Sequence, residues 1–257
     1  MGLQTLFLLL LAIVPPLLLI YLIYKLDKYE KEPFKVCFIV FILGCATCFP
    51  IVIVEFIAMV LIELRIPEGS FFSYTLFAGT TNIKILVTMI FGVALIEEYF
   101  KYLVLTKYAY KQDSFNEPMD GIVYGVIASL GFALVENIVY VFLYADPGQE
   151  MSVGILRMFT AIPAHALMGV IMGYYVGKAK FDNVNSKKLM SKGLLGAIIL
   201  HSSISFRVSR IQSVKREIGT QTSVAITFAP GRRDRAEKYT SCRACQSLFR
   251  SSVFVVH

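Results

Sequence analysis

The stretch LIEEYFKYLVL, residues 95–105, places two glutamates and a lysine in the middle of an apolar run. The run extends from about residue 83 to residue 108, which is long enough for a helix to cross the hydrocarbon core of a bilayer. At the centre of a membrane helix an ionisable side chain costs roughly 2.5–3.5 kcal/mol. Glu97, Glu98 and Lys101 therefore need a reason to be there, and side chains of this kind normally serve chemistry or transport.

Similar apolar runs recur along the whole chain. Of its 257 residues, 56% are hydrophobic and 17% are charged, and the mean hydropathy is +0.66. We interpret six runs as candidate transmembrane helices: 3–24, 34–64, 83–108, 120–144, 151–177 and 189–206. The second run is longer than a bilayer requires, so it is expected either to tilt or to end in a helix at the membrane surface. The predicted fold class is an all-α, polytopic integral membrane bundle of about six transmembrane helices.

The basic residues of the loops predict an orientation. The charged segment KLDKYEKEPFK, residues 25–35, follows the first run, and lysines and arginines are again numerous after the third and fifth runs. Loops rich in lysine and arginine normally stay in the cytoplasm. We therefore predict a multi-pass protein of the plasma membrane with its N-terminus outside the cell.

The end of the chain differs from the rest in composition. Residues 1–206 contain fifteen basic and fifteen acidic residues, whereas residues 207–257 contain ten basic and three acidic ones. Because the excess charge is confined to this end, it does not indicate a nucleic-acid partner, and none is predicted. We predict a transmembrane domain at 1–206 and a basic, disordered tail at 207–257. The tail is either a genuine extension or the product of a changed reading frame.

Two of the runs carry small residues at every fourth position, a spacing by which helices pack closely in lipid. The polar residues on or beside these stripes are therefore expected to face other helices. One stripe comprises Gly121, Gly125, Ser129, Ala133 and Asn137, with Glu136 beside it. The other comprises Ala161, His165, Gly169, Gly173 and Gly177.

Three glutamates and two histidines near the middle of apolar runs form the candidate site. Glutamate and histidine can act as general bases towards water, or bind a metal ion that lowers the pKa of water. A structural ion pair with the lysine of the opening stretch would explain one glutamate of that stretch and leave the other without a partner. The candidate catalytic residues are Glu97, Glu98, Glu136, His165 and His201, with Lys101 and Asn137 in supporting roles.

The same residue types fit a metal site. His165, His201 and Glu98 would resemble the His₂Glu ligand sets of catalytic zinc sites, in which one position stays open for water. The sequence does not identify the cofactor, and zinc is a candidate. The sequence has no HExxH and no GxSxG motif, and no two aspartates are paired at membrane depth. These absences exclude the common helix of soluble zinc proteases and argue against a serine or aspartate mechanism.

At these residues the sequence resembles the PrsW family of intramembrane proteases. The pieces that carry the resemblance are DKYEKEP at 27–33, EEYFK at 97–101, FALVEN at 132–137, HALMG at 165–169 and His201. The resemblance covers about residues 10 to 206. It implies site-2-type cleavage of a membrane-anchored protein within or beside the bilayer, with the five candidate residues as the active site. In the family's best-known member the substrate is an anti-sigma factor.

Two other classes of protein fit part of the pattern. A proton- or ion-coupled transporter also keeps carboxylates and histidines at mid-membrane, but it would be expected to contain internal repeats, and the sequence shows none. A membrane scaffold, or an inactive homologue, would hold the same residues only as buried pairs. We predict an enzyme, an intramembrane peptide-bond hydrolase whose partners are a membrane-anchored protein substrate and the bilayer.

Overall fold

The computed structural model describes residues 2–27, 30–65 and 85–227, with side chains described as far as residue 209. Within these ranges the regular secondary structure is helical, as the sequence predicts. Two π-helical segments, Thr88–Ala94 and Tyr140–Tyr144, precede α4 and follow α5. The helices are α1 (Leu3–Leu26), α2 (Phe34–Ala46), α3 (Cys48–Arg65), α4 (Leu95–Lys107), α5 (Pro118–Val139), α6 (Glu150–Phe159), α7 (Ala161–Phe181) and α8 (Ser186–Thr227).

Five segments in the described ranges are long and apolar enough to cross a membrane. They coincide with five of the six runs expected from the sequence. The remaining run, 83–108, begins outside the described residues. Its described part contains too many charged residues to count as a candidate membrane span by composition. The protein is therefore an integral, multi-pass helical membrane protein. The five segments are Leu3–Leu26, Phe34–Arg65, Pro118–Tyr144, Glu150–Phe181 and Ser186–Ser209.

Two of the long apolar segments are each divided into two helices at a threonine. Helices α2 and α3 meet at Thr47, and α6 and α7 meet at Thr160. In each pair a proline, Pro50 or Pro163, stands four residues after the end of the first helix. A proline removes a backbone donor and clashes with the carbonyl four residues before it, which favours a break at that point. The overlong second run therefore has a local interruption at Thr47.

The chain divides into two compact units. The first comprises Met1–Val54 and Ala94–His201, and it contains every candidate site residue. The second comprises the described parts of Glu55–Val93 and Ser202–His257. A small apolar cluster in the second unit consists of Met59, Met89 and Val93, with Ile85 and Phe206 packed against it.

Close contact between α5 and α7 lies at the centre of the first unit. A Cβ atom added to Gly125 would lie 2.5 Å from the carbonyl oxygen of Gly169, and one added to Gly169 would lie 2.7 Å from that of Gly125. Gly121 and Gly173 approach each other in the same way. Only glycine permits backbones to come this close. The structure therefore confirms that the two stripes of small residues are packing faces.

We expect Gly169→Ala to destabilise the protein by about 1–3 kcal/mol, because the added methyl group would meet backbone rather than a flexible side chain. Thermal unfolding of the protein in detergent measures the effect. Gly92→Ala is the matched control, since its Cβ would lie 3.4 Å from side-chain atoms of Ile62 and Thr88, an ordinary contact. Equal melting temperatures for Gly169→Ala and the wild type would contradict the close packing of α5 on α7.

A buried acidic group connects the loop before α2 to the start of α5. Glu32 is 3% exposed and accepts a hydrogen bond from the hydroxyl of Tyr124. Asp120 is also buried, and its carboxylate accepts the backbone amides of Asn116 and Glu117, each at 2.7 Å. Burial raises the pKa of Glu32 to about 8, and the proximity of Asp120 acts in the same direction. Glu32 therefore holds its proton at neutral pH.

We expect the stability to fall as the pH rises from about 4.5 to about 8. Because the folded-state pKa of Glu32 lies above its ordinary value of 4.5, the native state binds this proton more tightly than the unfolded chain does. The resulting stabilisation is complete below pH 4.5 and is lost as the pH rises through about 8. Melting temperatures across this range measure it. Glu32→Gln cannot ionise and should show a shallower decline; parallel curves for variant and wild type would contradict the assignment.

Helix α8 continues past the expected end of the transmembrane domain. It runs without a break from Ser186 to Thr227, so residues 207–227, which were predicted to be disordered, have a helical backbone. Residues 228–257 of the predicted tail lie outside the described residues. The division at 206/207 does not coincide with a helix end and stays a prediction.

Candidate active site

The two glutamates of the opening stretch lie on α4, and both bind the same lysine. Lys101 Nζ lies 3.0 Å from Glu97 Oε2 and 2.9 Å from Glu98 Oε1, and all three side chains are buried. Spacings of three and four residues bring them to one face of the helix. The expectation that an ion pair with Lys101 would leave one glutamate without a partner is therefore wrong, because one ammonium group binds both carboxylates.

The third hydrogen bond of Lys101 goes to α7. Its Nζ lies 3.2 Å from His165 Nδ1, and it also lies 4.2 Å from the centre of the Phe132 ring. An ammonium group has three N–H donors and no acceptor, so these three acceptors use all of its donors. His165 Nδ1 must therefore accept, since an N–H there would face the N–H groups of Lys101. The imidazole is thus neutral and carries its hydrogen on Nε2.

That hydrogen points towards α5, where an arginine of α6 joins the group. His165 Nε2 lies 2.9 Å from Glu136 Oε2, and Arg157 Nη2 lies 2.7 Å from the same oxygen. Arg157 Nε donates to Asn137 Oδ1 at 2.7 Å. The guanidinium carbon lies 4.1 Å from the centre of the Tyr140 ring, and the residue is only 4% exposed. The predicted supporting residue Asn137 therefore holds Arg157.

Sequence reasoning did not identify Arg157 as a site residue. Its signal is present, because Arg157 lies inside the run 151–177, eight residues before His165. An arginine there costs as much on insertion scales as the glutamates do. The cost argument that singled out Glu97 and Glu98 would have found Arg157 as well.

His201 brings α8 to the site. Its Nδ1 lies 2.9 Å from Glu98 Oε1, and its ring lies 5.7 Å from that of His165, nearly perpendicular to it. Helices α4, α5, α7 and α8 thus contribute to one buried, hydrogen-bonded group, which α6 completes through Arg157. These contacts bring the five candidate residues into one group. The contacts alone do not assign a chemical role to any of these residues.

Three of these residues could hold a metal ion. Glu97, Glu98 and His201 each offer a ligand atom, and the three atoms lie within 4.8 Å of one another. The second carboxylate oxygen of Glu98, Oε2, is buried and accepts no hydrogen bond from the described residues, so it is available to a cation. Carboxylate and imidazole ligands suit zinc and related ions. The residues present therefore fit a metal ion.

This group differs from the ligand set considered from the sequence. Glu97 takes the place of His165, because the two ring nitrogens of His165 face Lys101 and Glu136. Glu98 and His201 are common to both sets. The difference arises from the orientation of one ring, which the spacing of residues along the chain does not determine.

A membrane-spanning bundle that buries paired glutamates beside histidines, in a geometry suited to a metal ion, belongs to the class of intramembrane hydrolases. Comparison with known families agrees. The model of the PrsW family, described as an intramembrane metalloprotease family, matches residues 32–229. The chain belongs to this family. The match continues beyond residue 206, where the transmembrane domain was expected to end.

Curated relatives carry the same family name. The chain is 32% identical over 203 residues to Protease PrsW of Bacillus subtilis (strain 168), covering 79% of this chain and 83% of the relative. It is 34% identical over 191 residues to Protease PrsW of Halalkalibacterium halodurans, covering 74% and 78%. No solved structure matches the chain. The protein is therefore an intramembrane protease, and the transporter alternative finds no support.

Proposed function

We propose that this protease cleaves a single-pass, membrane-anchored protein within or next to the bilayer, in site-2-type regulated proteolysis. The observation that carries the proposal is the buried pair of Glu97 and Glu98, held by one lysine and joined to two histidines. An anti-sigma factor is the type of substrate that the family resemblance suggests. The distribution of lysine and arginine supports an N-terminus outside the cell, and the plasma membrane is the location that we propose.

The proposed reaction is direct attack of water on the scissile peptide bond. A carboxylate of the Glu97–Glu98 pair takes a proton from the water as its oxygen bonds to the carbonyl carbon. The same group then gives that proton to the leaving nitrogen as the C–N bond breaks. The products are a new carboxyl end and a new amino end, and the glutamates return to their starting state. No acyl-enzyme forms.

The remaining polar residues would support this step. We assign Lys101 the role of stabilising negative charge near the carboxylate pair, because it is the cationic donor bound to both glutamates. His165 holds Lys101 through Nδ1 and is itself held by Glu136. Glu97, Glu98 and His201 would hold a metal ion, for which we propose zinc. When bound, the metal would supply Lewis-acid polarisation and would lower the pKa of water.

The test uses purified protein in proteoliposomes with a panel of single-pass membrane proteins, including an anti-sigma factor of the membrane-anchored type. Mass spectrometry of the fragments locates the cleaved bond, which is expected within or directly beside the apolar segment. Hydroxylamine is added in a parallel reaction. Because no acyl-enzyme forms, we expect only the free carboxylic acid at the new end. A hydroxamate product would contradict direct attack by water, and cleavage far from the apolar segment would contradict the proposed function.

A further inference from the structure

One nitrogen of Arg157 has no part in the contacts of the site. The residue lies on α6 and is only 4% exposed. Its Nε donates to Asn137 Oδ1 and its Nη2 donates to Glu136 Oε2, both at 2.7 Å. The third nitrogen, Nη1, is buried and has no hydrogen-bond partner among the residues that the structure describes. A buried donor without an acceptor is costly, above all when the group is charged, so Nη1 requires an acceptor.

The guanidinium group is held in place, and this fixes the direction of Nη1. Nε and Nη2 lie on one edge of the planar group, and neighbouring residues of α5 bind both of them. The central carbon lies 4.1 Å from the centre of the Tyr140 ring, so the face of the group is covered as well. Nη1 lies on the opposite edge, and its two N–H groups point away from Asn137 and Glu136. A preorganised planar donor loses little entropy when it binds an acceptor.

These two N–H groups are anchored to the group of residues that contains the glutamate pair. Glu136 Oε2, which accepts from Arg157, lies 2.9 Å from His165 Nε2. The other ring nitrogen of His165 lies 3.2 Å from the ammonium group of Lys101, which binds both glutamates of α4. An acceptor bound at Nη1 therefore lies near the pair without touching it. Because an extended chain advances about 3.3 Å per residue, that acceptor belongs to a residue a few positions from the scissile bond.

A substrate that spans the membrane brings acceptors of one kind whatever its sequence, namely its backbone carbonyl groups. In an intact helix each carbonyl accepts from the amide four residues later, and the backbone around a peptide bond hinders attack on its carbonyl carbon. Cleavage therefore requires the substrate helix to unwind. Within the bilayer no water replaces the lost hydrogen bonds, and each unsatisfied carbonyl is costly. The unused donors of Arg157 and the released acceptors of an unwound substrate complement each other.

We propose that Arg157 Nη1 binds a backbone carbonyl oxygen of the substrate beside the scissile bond, once the substrate helix has unwound. Arg157 is then a substrate-binding residue of the protease. Its neighbours on α6, Leu156 and Phe159, are exposed, so in the bilayer this helix contacts the lipid from which a membrane-anchored substrate arrives. The inference rests on the proposed function, which supplies the class of substrate.

The test is a thioamide scan of a synthetic single-pass substrate in proteoliposomes. Each peptide carries one C=S group in place of a backbone C=O near the bond that is cleaved in the unmodified peptide, and the scissile carbonyl is left unchanged. Sulfur is a weaker acceptor than oxygen. In the wild type we expect a position at which KM rises roughly tenfold, the size of one hydrogen bond to a charged donor, while kcat changes little. If no position raises KM in the wild type, the proposal is overturned.

The variant Arg157→Lys assigns that position to Arg157. Lysine keeps a positive charge beside Glu136 but has no nitrogen on the far edge. We expect its KM for the unmodified peptide to be raised roughly tenfold, and we expect the thioamide at the assigned position to raise it no further. If Arg157 only held Glu136 or packed α6 on α5, kcat would fall equally for every peptide and the thioamide effect would persist. That result, which is also expected if Nη1 binds only water, would overturn the proposal.

Controls separate this proposal from loss of structure and from the proposed function. Arg65→Lys changes an arginine that is exposed at the end of α3, and its scan should match that of the wild type. Melting temperatures show whether each variant is folded, and Arg157→Gln, which also lacks Nη1, takes the place of an unfolded Arg157→Lys. The wild-type scan needs no variant. Failure to cleave the unmodified peptide would contradict the proposed function, whereas cleavage without an assigned position would contradict only the role of Arg157.

Discussion

Replacing Glu97 and Glu98 together by glutamine is expected to reduce cleavage to background. Glutamine keeps the size of glutamate but cannot take a proton from water, and a general base contributes typically 10²–10⁴-fold to a rate. The change also removes two of the three ligand atoms that could hold a metal ion. Because both possible mechanisms need these carboxylates, the loss should exceed that of any other substitution in the site.

The difficulty in this experiment is the lysine that remains. Removing both anions leaves Lys101 as a buried cation, and breaking a buried pair in this way costs roughly 3–5 kcal/mol. The triple variant Glu97→Gln, Glu98→Gln, Lys101→Met removes that charge as well. We expect it to fold and to stay inactive, which separates loss of chemistry from loss of structure.

Cleavage of a single-pass substrate in proteoliposomes, with melting temperature in parallel, measures both quantities. Glu150→Gln is the control for the substitution itself, since Glu150 begins α6 and its carboxylate accepts the exposed backbone amide of Gly148. It should cleave at the wild-type rate. If the double variant also did so, the general base would have to lie elsewhere, and the assignment of the glutamate pair would be wrong.

The membrane fold could be predicted because its cause, the length of apolar chain that a bilayer requires, can be read within each segment of the sequence. A bilayer demands about twenty apolar residues per helix, and the chain shows such runs directly. The small-residue stripes likewise identify the faces of α5 and α7 that touch, because only glycine allows contacts such as that of Gly125 with Gly169. The break at Thr160 was not predicted, because a single proline such as Pro163 does not interrupt the apolar composition of its run.

The site could be predicted as a set of residues but not as a network. The cost of burial identifies Glu97, Glu98 and Glu136 one at a time, without showing which charges they meet. That Lys101 also binds a histidine depends on how α4 faces α7. The pairing of Glu136 with Arg157 depends on the docking of α6 against α5. Both are contacts between helices, which the spacing of residues along a chain does not determine.

The backbone of α8 continues past the domain boundary predicted at 206/207, which stays a prediction. The change to a basic composition after residue 206 was interpreted as the end of the membrane fold, yet the helix continues to Thr227. A helix needs only backbone hydrogen bonds and suitable propensity, and neither requires apolar side chains. Composition indicates where a helix can contact lipid, and it does not indicate where the helix ends.

Removal of a bound metal ion is expected to abolish cleavage, and zinc is expected to restore it. The structure offers Glu97, Glu98 and His201 within 4.8 Å, and a buried oxygen of Glu98 accepts no hydrogen bond from the described residues. A carboxylate oxygen buried without a partner is costly, and a cation there would remove that cost. We expect about one zinc ion per chain by elemental analysis of the purified protein, since one set of three ligands with an open position makes one catalytic site.

The metal content and the activity should change together. Incubation with a chelator, followed by its removal, should lower both, and added zinc should restore both, whereas magnesium should restore neither because these ligands include an imidazole. His201→Gln should lose the metal while keeping its helical structure by circular dichroism. His257→Gln, which changes a histidine that is not among the candidate site residues, should retain it. Full activity in protein that contains no metal would contradict this prediction, and would leave the glutamate pair as the sole means of activating water.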